Sequence, residues 1–140
     1  MPDACVFCRI VRGEMPAQVV RDDGRTLAIL DIHPVAPGHT LVMPRDHHEG
    51  WTDLPPDLAA ELARAAQVVA AAAARAFGAQ GSNLLVNNGR CAGQAIPHVH
   101  VHVIPRKGDD GVRFNWPAKP AAAEDLQKAA AALKGALPKS

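Results

Sequence analysis

The segment Ile96-Pro97-His98-Val99-His100-Val101-His102-Val103-Ile104-Pro105 places three imidazoles at alternate positions. Successive side chains of a strand point to opposite faces, so His98, His100 and His102 share one face while Val99, Val101 and Val103 share the other. Same-face neighbours lie about 6–7 Å apart, near enough for several imidazoles to act on one bound group. The valines would anchor the strand in the core and the histidines would line a pocket. A solvated face that merely tolerates histidine accounts for one such residue and badly for three in register. Two chemistries remain. A strand offering His ligands at i and i+2 suits zinc. Alternatively, imidazole, with an ordinary pKa of about 6.5, is a neutral nucleophile at pH 7 and can act on a phosphate. A second reactive pair, Cys5-x-x-Cys8, lies near the N-terminus. It reads as half a metal site, a redox pair or two idle thiols, and no βαβ pattern surrounds it to favour the redox reading.

These residues need a scaffold. Residues 5–13 fit a short helical turn. Ala17–Arg21 and Thr26–Leu30 read as strands joined by the hairpin signal Asp22-Asp23-Gly24. Pro34 and Pro37 make 31–38 a loop, and His39–Pro44 reads as a third strand. Asp53 is the expected N-cap of a helix opening at Pro55-Pro56 and stopping at Gly78. Its expected buried stripe is Leu58, Leu62, Ala65, Val69, Ala72 and Ala76. Ser82–Asn87 and Val99–Ile104 supply two more strands, with a loop from Asn88-Gly89 to Gly93 between them. Glu124–Leu137 is an alanine-rich peripheral helix. Short turns and one long helical excursion imply an α+β domain around an antiparallel sheet.

The chain has 140 residues, room for one domain, and no linker or internal repeat divides it. Its formal charge of +1 excludes the positive field needed for non-specific nucleic-acid or polybasic membrane binding. No run approaches the ~20 apolar residues of a membrane span. The start, Met-Pro-Asp-Ala-Cys, lacks a secretory pattern, so a cytoplasmic protein is expected. With Cys91 the cysteines number three, an odd count that does not make a disulfide framework.

The pattern His98-Val99-His100-Val101-His102-Val103-Ile104 resembles the signature of the histidine triad (HIT) superfamily. Further segments match in order: Cys5-x-Phe7-Cys8-Arg9-Ile10, Gly13-Glu14-x-Pro16, Asp31-Ile32-x-Pro34-x-Ala36-Pro37-Gly38-His39, Pro44-Arg45-x-His47, Asn87-x-Gly89, Ala92-Gly93-Gln94 and Ile104-Pro105-Arg106. The chain is most similar to the small, Hint-like bacterial branch. The likeness implies a core over about 5–110, with an extension over 111–140 that carries the short helix. The implied fold is a five-stranded antiparallel sheet with one long and one or more short helices, paired as a homodimer across a two-fold axis. The implied activity is hydrolysis or transfer at the α-phosphorus of AMP-containing substrates: adenosine phosphoramidates, aminoacyl adenylates or dinucleoside polyphosphates.

On that resemblance His100 is the nucleophile, and its other ring nitrogen is expected to donate to a backbone carbonyl. His102 would donate to a phosphate oxygen or protonate the leaving group, and His39 is the fourth family histidine. Asp31 matches the ribose-binding acid, although an Asp before Pro34 commonly just caps a turn. Phe7, Ile10, Ile29, Ile32 and Leu41 align with the base pocket, and Asn87 with a phosphate contact. Gln94 and nearby backbone N–H groups are the expected charge-stabilising donors. Cys5 and Cys8 with His47 and His98 would close a structural zinc tetrahedron, His48 being the rival of His47. The sequence departs from the branch at Ala95, where Ser is frequent, and at Leu30, where some relatives carry a polar ring. Cys91 matches no family role. Two other classes stay open: a metallohydrolase using the histidines as ligands, and a nucleotide-binding regulatory module.

Overall fold

Two hydrophobic periods set the architecture, an alternation of two along the strands and a helical stripe in the long alanine-rich segment. A computed structural model describes residues 2–139; Met1 and Ser140, the ends of the expected single domain, lie outside the described residues. In chain order the elements are α1 (Val6–Val11), β1 (Val19–Asp22), β2 (Thr26–Leu30), β3 (Thr40–Pro44), α2 (Pro56–Phe77), β4 (Gly81–Val86), β5 (Val101–Arg106) and α3 (Ala123–Ala136). The five strands form one sheet in the order β1-β2-β3-β5-β4, every neighbouring pair antiparallel. The expected α+β architecture is therefore present.

Alternation divides the strand residues between two cores. Ala28, Val42, Val99, Val101 and Val103 face α2 and pack on Leu58, Leu62, Ala65 and Val69. Leu27, Ile29, Leu41 and Met43 face the other way, onto Cys5, Phe7 and Cys8. Alanine gives α2 helix propensity and lets it approach the sheet closely. Gly78 ends it with φ 64°, a left-handed conformation that glycine adopts without strain. β1 carries an irregular register between Val19 and Arg21, so its outer edge is kinked.

Several boundaries differ from expectation. Asp53 does not cap α2; it closes a separate 3₁₀ turn, Trp51–Asp53, where its carboxylate accepts from the Gly50 N–H at 3.0 Å. The helix starts at Pro56 after Pro55, and neither proline has an N–H to be capped. Ala72 and Ala76 are exposed, while Ala66 and Ala73 are buried. There the flank of α2 stands clear of β1 and borders an apolar groove of about 440 Å³ with Val20, Val68 and Phe77. β5 starts at Val101 rather than Val99, because the Val99 N–H donates to the His48 carbonyl at 2.8 Å instead of entering the ladder. β4 and α3 each begin one residue earlier than read from the sequence, and α3 buries none of its residues. Among the described residues no helix is long and apolar enough to cross a membrane.

Candidate active site and metal centre

The sheet face opposite α2 holds a cavity of about 470 Å³. Its lining brings together Phe7, Ile10, Ile29, Asp31, Ile32, Leu41, Asn87, His100 and His102, which the sequence reading had marked from five separate segments. Phe7, Ile29 and Leu41 are buried and double as core, whereas Ile32 is 85% exposed and forms the rim. Ile96, Gly93 and His33 also line the cavity, although the sequence assigned none of them to it. Ile96 lies in the bend before β5, where strand alternation carries no signal for it. Ala95 lies in the same wall, so its methyl group takes the place where a hydroxyl is frequent in the branch.

The hydrogen-bond network assigns a tautomer to each imidazole. His100 Nδ1 lies 2.8 Å from the His98 carbonyl, an acceptor only, so Nδ1 carries the proton and Nε2 keeps its lone pair. This is the backbone donation expected of His100. The Val35 N–H donates to His39 Nδ1 at 3.2 Å, which leaves the His39 proton on Nε2. That Nε2–H donates to His102 Nδ1 at 2.9 Å, so His102 carries its own proton on Nε2. Asp31 Oδ2 stands 3.5 Å from His39 Nε2. Its Oδ1 accepts from the His33 N–H at 2.8 Å, so Asp31 does cap the turn before Pro34. The ring centroids of His100 and His102 are 4.9 Å apart. One ring thus offers a base and its neighbour a donor. Asp31, His39 and His102 also converge closely enough to hold a metal ion, but the His39–His102 hydrogen bond accounts for their approach without one.

Gln94 is a correction. It does not line the cavity; its Oε1 accepts from the Gly89 N–H at 2.8 Å, and its Nε2 donates to the carbonyls of Glu49 at 2.6 Å and Ile96 at 3.0 Å. Both amide protons are committed, so the side chain clamps the 89–96 loop instead of serving a phosphate. Asn87 does face the cavity, its Nδ2 held only by a 3.5 Å contact to the Gly93 carbonyl.

Burial keeps the pocket imidazoles neutral. Desolvation, reinforced by His100 and His39, pulls His102 down to about 4. Desolvation also lowers His39, outweighing the opposite pull of Asp31. An unfolded histidine titrates near 6.5, so between there and about 4 the unfolded chain binds the extra proton. Stability should accordingly be complete above about pH 6.5 and fall on acidification, by at most ~1.4 kcal/mol per pH unit for each such histidine. Urea melts from pH 7.5 to 4.5 should show that loss, and His102→Gln should flatten the slope. Equal slopes in the two proteins would contradict the assignment.

A second cluster lies beside the first. Cys5 and Cys8 Sγ and the Nδ1 atoms of His47 and His98 all lie within 4.8 Å of one another. His98 Nε2–H donates to the Pro44 carbonyl at 2.8 Å, which turns its Nδ1 lone pair toward the thiols. Sulfur–nitrogen separations are 3.5 Å for Cys5–His98, 3.3 Å for Cys8–His47 and 3.6 Å for Cys8–His98, and the two nitrogens are 3.3 Å apart. A tetrahedron with Zn–S of about 2.3 Å and Zn–N of about 2.05 Å has edges of roughly 3.5 and 3.3 Å. The donor set and its spacing therefore fit zinc. Burial, then the adjacent Cys5, pushes the Cys8 thiol up to about 11, a cost that a bound dication removes. His47 rather than His48 supplies the ring, its Nδ1 lying 3.3 Å from Cys8 Sγ.

Comparison with known proteins agrees with this geometry. Residues 12–109 match the family described as HIT domain. The chain is 34% identical over 125 residues to adenosine 5′-monophosphoramidase hnt1 of Schizosaccharomyces pombe, covering 89% of this chain and 91% of that one. It is 42% identical over 106 residues to adenylylsulfatase HINT3 of Arabidopsis thaliana, covering 76% of this chain and about half, 54%, of that longer protein. A crystal structure of a HIT family member from Bacillus subtilis superposes with a TM-score of 0.91 at 38% identity, covering 99% of this chain and 100% of that one. A zinc-bound histidine triad protein from Mycobacterium smegmatis superposes at 0.77 with 40% identity, covering 96% and 98%.

Proposed function

The chain belongs to the HIT domain family, and from that premise we propose that it is a nucleotide hydrolase or transferase acting at the α-phosphorus of AMP-containing substrates. The observation that carries this reading is the His100 tautomer: Nδ1–H fixed on the His98 carbonyl, Nε2 unprotonated and facing the cavity wall that holds His102. In the proposed reaction the Nε2 lone pair of His100 attacks the α-phosphorus. The bond to the leaving group breaks with its electron pair, the leaving atom taking a proton from solvent, while His102 Nε2–H donates a hydrogen bond to a phosphate oxygen. Water then attacks the nucleotidyl-imidazole, its proton passing to solvent, and the P–N bond breaks to return neutral His100 with AMP. His39 Nε2–H holds His102 in the donor tautomer throughout the first step. Asp31 accepts from the ribose hydroxyls through lone pairs not used by the His33 N–H. Phe7, Ile10, Ile29, Ile32 and Leu41 enclose the purine, and Asn87 reaches a phosphate oxygen.

Turnover of adenosine phosphoramidate compared with diadenosine polyphosphates tests the proposal and selects the leaving group. Neither substrate turning over, with AMP binding retained, would support a nucleotide-binding module instead. In this reading the zinc cluster is structural: four protein ligands close the tetrahedron and leave no position for a reactive water. Free thiols at Cys5, Cys8 and Cys91 suit a reducing compartment such as the cytoplasm. The family match supports a core over about 5–110 with 111–140 as an extension.

We also infer a homodimer. β4 lies at the end of the sheet with Leu84 half exposed, and Leu126 and Leu133 of α3 and the adjoining Leu137 are uncovered. A second copy can pair the strand and cover this surface. Light scattering at micromolar concentration should return twice the chain mass, and Leu84→Lys should shift it toward one; a monomeric wild type rejects the inference.

A further inference from the structure

The metal cluster and the proposed nucleophile are joined by three short links. We propose that the Cys5–Cys8–His47–His98 centre is a positioning device for His100, setting its tautomer and orientation through the His98 main-chain carbonyl. This rests on the reading of His100 as nucleophile.

The His98 carbonyl accepts the His100 Nδ1–H at 2.8 Å and so determines which ring nitrogen stays free. Sheet pairing does not hold it, because the ladder of β5 begins only at Val101. What holds it is the His98 side chain, completely buried and tied at both ends of its ring: Nε2–H to the Pro44 carbonyl and Nδ1 into the cluster. Cys5 and Cys8 provide the second link. They flank Phe7, whose ring meets His98 edge-on at 5.8 Å and His100 at 5.2 Å. Their helix has only six residues, and its first turn is closed by Cys5 Sγ accepting from the Cys8 N–H. Such a short helix does not persist without external ties. His47 provides the third link, since the next residue, His48, fixes Val99 between the two histidines. All four ligands thus converge on the two residues that precede and orient the His100 ring.

Without the cluster, the Nδ1 end of the His98 ring and the anchors of Cys5, Cys8 and His47 are released together, and of the two ties on that ring only the bond to the Pro44 carbonyl remains. The His98 peptide can then turn, and His100 can place its proton on Nε2, the nitrogen the reaction needs free. Asp31, Ile29 and Leu41 sit on or beside β2 and β3 and keep their places. The cluster should therefore act on the rate at saturating substrate and not only on affinity.

The test uses the full chain, zinc-loaded and chelator-stripped, below the melting temperature of the stripped form. Long-range ¹H–¹⁵N spectra should show His100 protonated on Nδ1 in the loaded protein and on Nε2 in a substantial fraction of the stripped one. The single-turnover rate at saturating nucleotide should fall about 10–100-fold, the range typical when a supporting shell is lost. An unchanged tautomer with an unchanged saturating rate overturns the proposal. Should the stripped chain unfold, cadmium substitution replaces stripping, because it keeps the fold and lengthens the metal–sulfur bonds. A cadmium form with the zinc form's tautomer population and saturating rate would equally overturn it. Failure of the functional reading is separate: it shows as no turnover and no adduct on the loaded protein, whatever the tautomer.

Discussion

Replacing His100 by alanine should lower turnover by roughly three to six powers of ten while AMP affinity changes little. The lost group forms a bond only in the transition state and intermediate, so its removal costs rate and not ground-state binding. The purine-facing residues and Asp31 do not depend on the His100 ring for their positions; Leu41 and Ile29 are fixed by β2–β3 pairing. Mass spectrometry of wild type quenched during turnover should show an AMP-sized adduct, and peptide mapping should place it on His100. The adduct also separates this chemistry from hydrolysis by a metal-bound water, which leaves no covalent intermediate on the protein. Near wild-type turnover by the alanine variant would remove His100 from the mechanism.

Loss of the metal cluster should cost stability on a similar scale of importance. Protein purified without a histidine tag should contain about one zinc per chain. The free energy of closing such a site is folding free energy, because the unfolded chain has no preformed ligand set. For a chain of this size each kcal/mol moves the melting temperature by several degrees, so chelation, or Cys5→Ser with Cys8→Ser, should lower it by roughly 10 °C or more. Chelation leaves two buried thiols, the buried His98 ring and the half-buried His47 ring without the cation that brings them together. Phe7 and Ile10, carried by the helix that Cys5 and Cys8 anchor, should loosen as well, weakening purine binding. Metal-free protein with a melting curve unchanged in the double variant would refute the site and leave the triad chemistry intact.

Most of what positions the site was legible because strands and helices have fixed periods. The alternation in 98–103 correctly separated valines facing α2 from histidines on the other face, where His100 and His102 line the cavity and His98 joins the metal cluster, even though the ladder reaches only Val101. Cys5, Cys8, His47 and His98 were identified through the resemblance, since the two-residue cysteine gap by itself leaves several readings open. What escaped the sequence was decided by contacts between distant segments. Gln94 has the right type for a phosphate donor, but the carbonyls of Glu49 and Ile96 claim its protons. Asp53 has the right type for an N-cap, but the Gly50 N–H reaches it first. Ala72 and Ala76 have the right spacing for the buried stripe, but they border the open groove with Val20, Val68 and Phe77. In each case a local preference was satisfied by a partner whose position depends on the tertiary fold.

The kink in β1 carries a consequence for how copies can meet. A sheet with two open edges can add neighbours without limit and grow into a filament. Here the irregular register between Val19 and Arg21 disrupts one edge, and the charges of Arg21 and Asp22 stand along it. The opposite edge, Gly81 to Val86, is regular and bears no charge. If two copies join through β4, as proposed above, the outer margins of the combined sheet are both guarded and growth stops, a valence of one for edge pairing.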